Sequence, residues 1–92
     1  MKLSKYILYH LNKQGYSQSE LAQMTGYTRS FISNVITGKR DMPAEMAIAL
    51  EAALEVPALR FMIRACEDKL DEIRTRDWVL ERSEEIRRKN GI

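Results

Sequence analysis

The chain has 92 residues, 45% of them hydrophobic and 30% charged, and a net charge of +2 at pH 7. That length suits one small unit with a modest appendage, and a core of this size is marginal enough that a folded dimer would be no surprise. A single cysteine excludes an internal disulfide framework, the apolar run after Met1–Lys5 is too short for a signal peptide, and no stretch nears the roughly 18 apolar residues of a membrane span, so a cytoplasmic chain without membrane contact is expected.

Two prolines, four glycines and no strand-like alternation predict an all-α fold. Helix 1 is expected over Leu3–Gln14, where Leu3, Ile7, Leu8 and Leu11 form an apolar stripe and Gly15 closes the helix. Ser17-Gln18-Ser19-Glu20 has the pattern of a capping box and opens helix 2, which ends at Thr25-Gly26. Ala22 is small enough for close helix approach, and Gly26 suits the positive φ of a tight interhelical turn. Thr28 caps helix 3, which runs to about Thr37 before Gly38. Ile32 and Val35 face inward from it, leaving Arg29, Ser30, Ser33 and Asn34 on a polar outer face. Two short helices joined by a glycine turn, the second with such a face, are built to lie against DNA.

Lys39-Arg40-Asp41-Met42 reads as a loop, and Pro43 as the first helical position of helix 4, Ala44–Leu54, with Ala47, Leu50 and Leu54 inward. Pro57 opens helix 5, whose apolar positions Phe61, Met62, Ala65, Leu70 and Ile73 extend to about Arg76. From Asp77 to Ile92 charge density rises and the apolar residues thin to Trp78, Val79, Leu80 and Ile86. A final helix with Asp77 as N-cap and Asn90-Gly91 as its end is expected there. At that length it is marginal alone and needs a surface to cover. The chain thus divides into residues 1–56 and a helical extension, 57–92.

Charge is unevenly placed. Residues 1–43 hold six basic side chains against two acidic, a net +4, whereas residues 44–92 carry a net −2. The basic excess accompanies the two-helix unit, as neutralisation of a phosphate backbone requires.

Gly15, Ser17, Gln18, Leu21 and Ala22, then Gly26, Ile32-Ser33-Asn34-Val35, Gly38-Lys39-Arg40 and Ala53-Leu54-Glu55-Val56 carry a resemblance to the lambda-repressor-like, or XRE-type, helix-turn-helix family over residues 3–56. The resemblance implies a bundle of about five helices, here with a C-terminal helical extension, that binds double-stranded DNA. Helix 3 would enter the major groove, whose width admits one helix. Arg29 is the first candidate for reading guanine, and Asn34 for adenine or a phosphate. Thr28, Ser30 and Ser33 offer shorter hydrogen bonds. The family role of a residue at the start of helix 2, near a phosphate and the base reader, falls on Gln18. Lys39, Arg40 and Tyr27 are expected at phosphates. Phe31 reads as packing at the edge of helix 4 in preference to contact with thymine methyls.

Pro43-Ala44-Glu45-Met46-Ala47 through Leu50-Glu51 and Ala53-Leu54 also resembles HigA-type antitoxins, which repress their own operon as dimers and bind a ribonuclease toxin. Those proteins usually carry glycine where this chain has Glu55, and Phe-Trp-Leu where it has Arg60-Phe61-Met62. Three functions are therefore weighed: a homodimeric repressor reading a palindromic operator, an antitoxin that covers a toxin and regulates its own operon, and a scaffold that no longer binds DNA, against which stand Arg29, Asn34, Lys39 and Arg40. In either of the first two, Phe61, Met62, Leu70, Ile73, Trp78 and Leu80 are the expected dimer or partner seam.

The remaining chemistry-bearing residues read as structural. His10 stands alone and is expected at the surface, and Cys66 as buried packing. Asp71-Glu72 lacks a partner histidine, and Glu84-Glu85 with Arg87-Arg88 reads as a solvated face. No metal-ligand spacing, phosphate-cradling loop or nucleophile–base set occurs, so no cofactor, metal or catalytic residue is expected.

Overall fold

A computed structural model describes residues 2–91. Met1 and Ile92, at the outer ends of the two expected units, lie outside the described residues. The described residues form six helices and no strand: α1 (Leu3–Gln14), α2 (Gln18–Thr25), α3 (Arg29–Ile36), α4 (Ala44–Leu54), α5 (Ala58–Arg74) and α6 (Asp77–Asn90). The expected all-α bundle with a C-terminal helical extension is what is found.

Helix α1 ends as its sequence predicts. Gly15 adopts φ 76° and donates its N–H back to Asn12, while the N–H of Tyr16 reaches the carbonyl of Leu11 at 2.9 Å. This paired closure, with Leu11 and Tyr16 both against the core, leaves few end carbonyls unsatisfied. The buried stripe of α1 is Leu3, Tyr6, Ile7 and Leu11; Leu8, expected inward, is 41% exposed. Docking of α5 explains the rotation. Phe61 meets the Tyr6 ring edge-on at 5.5 Å, which turns α1 toward Tyr6 and away from Leu8.

The core gathers Ile7, Leu21, Ile32, Met46, Leu50, Leu54 and Phe61, drawn from α1 to α5. Phe61 is fully buried, so it cannot belong to the exposed seam expected of it; its ring completes the core between α1 and α4. Conversely Cys66, expected to be buried, is exposed. Phe61, Ala65 and Asp68 define the inner face of α5, and Cys66 stands about 100° further round the helix from Ala65.

Three side chains lock the helix ends to one another. The Asp68 carboxylate accepts the Leu3 N–H at 3.1 Å, capping α1 from 65 residues away. Glu51 does the same for Ala58, the first residue of α5, at 3.1 Å. Gln14 donates to the Leu54 carbonyl at 2.6 Å, joining the ends of α1 and α4. Pro43 and Pro57, expected at first helical positions, are instead non-helical N-cap residues with ψ of 148° and 131°. Arg76, not Asp77, is the extended residue before α6, and Asp77 is its first helical residue. Helix α6 packs on α5, buries no side chain completely, and draws the molecule out to 51 × 23 × 21 Å.

Candidate nucleic-acid interface

The interface is built from α2, the turn after it and α3. Ser17 and Glu20 form the predicted reciprocal capping box, with bonds of 3.1 and 3.2 Å. Gly26 then takes φ 79°, and a Cβ there would meet nothing within 4 Å. Glycine is therefore needed at this turn for its backbone freedom and not for space. Thr28 caps α3 by accepting the Phe31 N–H at 3.1 Å. One of its two lone pairs is thus engaged, while the hydroxyl proton stays available to a partner.

Ile32, Val35 and Ile36 are buried, which fixes the rotation of α3. The opposite face is polar: Arg29, Ser30 and Asn34 are exposed with Thr28 at its head, and Ser33 is half-buried along its side. Gln18 and Tyr27 are also half-buried, and Lys39 and Arg40 are exposed. Eight of these candidates follow one another along the turn, α3 and the loop after it, and Gln18 opens α2, which packs on α3. Gly38 turns the chain at φ 80°, and the Arg40 N–H returns to the Asn34 carbonyl at 3.1 Å, which folds the basic loop against the end of α3.

Charge along this region is uncompensated within the fold. Arg29, Lys39 and Arg40 take part in none of the ion pairs among the described residues, and the nearby Asp41 carboxylate leans instead toward Lys69 at 3.7 Å. One arrangement escaped the sequence reading. Tyr27 and Phe31 stack with centroids 5.0 Å apart and planes 15° from parallel, and the Arg40 guanidinium lies 4.5 Å above Phe31. Tyr27 stands before the cap of α3, so helical spacing does not pair it with Phe31; the stack comes from the way the turn enters the helix. The arrival of Arg40 depends on the Gly38 turn, which local periodicity does not reveal. The stack leaves the guanidinium N–H edges free to donate while holding its plane. Phe31 thus packs against the core, and the partners seen are Tyr27 and the arginine of the basic loop.

Elsewhere, the His10 ring sits edge-on to Tyr6 and Tyr9 at 4.6 and 5.1 Å. Burial lowers its pKa below the ordinary 6.5, with Lys13, Arg60 and Arg64 adding like-charge repulsion. No cluster of three or more potential metal ligands occurs among the described residues. Nor is any described helix long and apolar enough to cross a membrane.

Compared with known families, residues 7–61 match the family model described as helix-turn-helix, more than half of the chain. Neither a curated protein nor a solved structure gives a significant match.

Proposed function

Because this chain belongs to the XRE-type, lambda-repressor-like helix-turn-helix family of DNA-binding transcriptional regulators, we propose that it acts as a homodimeric repressor of a palindromic operator. In this reading each copy lays α3 in the major groove of one half-site. The observation that carries it is the exposed face of α3: Arg29, Ser30 and Asn34 stand free on a helix whose other side is locked into the core, with two unpaired cations in the loop that follows.

The roles divide by geometry. Arg29 lies at the N-terminal end of α3, the end that approaches base edges in this mode of docking, and its planar fork matches guanine O6 and N7. Asn34 lies further along, suited to adenine or to a phosphate. Lys39 and Arg40 neutralise the backbone, with Tyr27, Gln18, Thr28, Ser30 and Ser33 completing the contacts. Two such helices must stand about 34 Å apart to read successive major grooves. The C-terminal third, where Met62, Leu70, Ile73, Trp78 and Leu80 are half-buried or exposed, is the part we assign to holding them there.

Selection of bound sequences from a random DNA library, followed by footprinting, tests this proposal. A two-fold symmetric site with half-site centres one helical turn apart is the expected outcome; retention of no preferred sequence at low salt would refute it. The antitoxin reading draws on the same outer surface of α5 and α6, and a small basic ribonuclease co-purifying with the chain would favour it.

A further inference from the structure

A groove of about 480 Å³ opens where the start of α1, the loop after α3 and the middle of α5 meet. Its floor is apolar: Leu3, Val35, Ile36 and Met42 are buried in it, and Met62 and Ala65 are half-buried. Its rim is charged, with the carboxylates of Asp41, Asp68, Asp71 and Glu72 outnumbering Lys2, Arg40 and Lys69. Most of these carboxylates are met at the surface. Asp71 and Glu72 pair along α5 with Arg74 and Arg76, each at 3.8 Å, and Asp41 pairs from the loop to Lys69 at 3.7 Å. Asp68 differs from them. It is the half-buried member of the set, the other charged residues of the rim being exposed. Its Oδ2 caps Leu3, while among the described residues its Oδ1 accepts no hydrogen bond and no side-chain cation pairs with it.

We propose that this groove binds a small amphipathic cation, an apolar body that carries a primary amine to Asp68. The volume falls within the roughly 300–1,000 Å³ of small-molecule sites, whereas a protein partner needs about 800 Å² of contact. The floor supplies the apolar surface, and Met42 and Met62 can adjust to the shape of what enters. Charge selects the sign. A wholly apolar occupant would strip water from Asp68 and leave its Oδ1 unmet, which is costly. An anion would face the same carboxylate. An ammonium group meets it with a charge-assisted hydrogen bond.

The groove also shares a wall with the basic loop, since Gly38 and Arg40 line it. This consequence rests on the DNA-binding reading above. Carboxylates beside a loop that contacts phosphates repel DNA, and an ammonium set among them weakens that repulsion. Occupancy therefore tightens operator binding, and by linkage DNA tightens the hold on the ligand.

A pair of fluorescent probes tests the site on the full chain without DNA. Dansylcadaverine carries an apolar naphthalene body and a primary amine on a flexible arm; dansyl-ε-aminocaproate has the same body and a carboxylate at the end of its arm. The amine probe should bind saturably, with its emission shifted to the blue, and the carboxylate probe about tenfold more weakly or worse. Bound amine should slow alkylation of Cys66 by iodoacetamide, because this thiol stands in the groove wall. Asp68→Asn keeps a carbonyl oxygen for the Leu3 N–H, and should remove the preference for the amine while the helical signal stays intact. Asp71→Asn, on the exposed rim, should retain the preference, and Cys66→Phe, which narrows the groove, should weaken both probes. Equal affinity for the two probes, an Asp68→Asn chain that binds the amine as tightly as the native one, or no saturable binding overturns the site. Gel shifts with and without saturating amine read the coupling: a gain of about fivefold in operator affinity is expected, and no change or a loss overturns it. A chain that takes the amine but prefers no DNA sequence refutes the repressor reading and leaves the site standing.

Discussion

At the scale of single residues, the difference between a base reader and a phosphate contact is measurable. Arg29→Ala should cost about 1–3 kcal/mol on the cognate site and relax one base position. Lys39→Ala should weaken cognate and scrambled DNA alike and reduce the salt slope by about one. Gel-shift titrations on both sequences distinguish them, and equal losses for Arg29→Ala on the two would remove it as a reader. His10 makes a different prediction. Its folded-state pKa lies below 6.5, so on acidification the unfolded chain takes up the proton first. Stability is unaffected well above 6.5 and falls as pH drops through that value toward the folded pKa. Urea midpoints for the native chain and His10→Gln should therefore diverge on acidification, with the native chain losing more. Glu55 is the one described non-glycine residue at positive φ, 57°, where it ends α4. A side chain there costs about 1–2 kcal/mol, partly offset in a glycine variant by greater freedom of the unfolded chain. Glu55→Gly should thus stabilise by roughly 1 kcal/mol in chemical denaturation.

At the scale of elements, most of what was legible locally was right, with Pro43, Pro57 and Asp77 each misplaced by one position at a helix start, and the larger misses came from afar. Leu3–Gln14 and Ala44–Leu54 could be bounded from sequence because their stripes and terminators, Gly15 for the first and the two prolines around the second, are contiguous with them. The outer face of α3 was equally readable, because burial of Ile32 and Val35 determines where Arg29 and Asn34 point. The larger errors share a cause. Leu8 against Tyr6, Phe61 against Cys66, and the caps supplied by Asp68 and Glu51 all depend on how α5 settles on α1 and α4. No local window contains that information. Thr28 offers the matching test: Thr28→Ala deletes the bond to the Phe31 N–H and should cost about 1 kcal/mol of stability. Thr28→Ser keeps the cap and should cost less by thermal unfolding, whichever effect either has on DNA.

At the scale of the whole molecule, the body and its extension differ in kind. Helices α1 to α5 share one core, whereas α6 lies on α5 with Trp78 61% exposed and no side chain fully buried. Fourteen residues of helix are marginal without a covering surface, so this end should open without disturbing the rest. Arg82, Arg87, Arg88 and Lys89 put trypsin sites along it. Brief digestion should trim these positions while a body ending near Arg74 persists, and operator DNA or a higher chain concentration should slow the trimming if the extension is then covered. A helix that frays while its neighbours hold is also where a degradative machine finds its first grip. Turnover of this chain would then follow how much of it is assembled, with solitary copies cleared before paired ones.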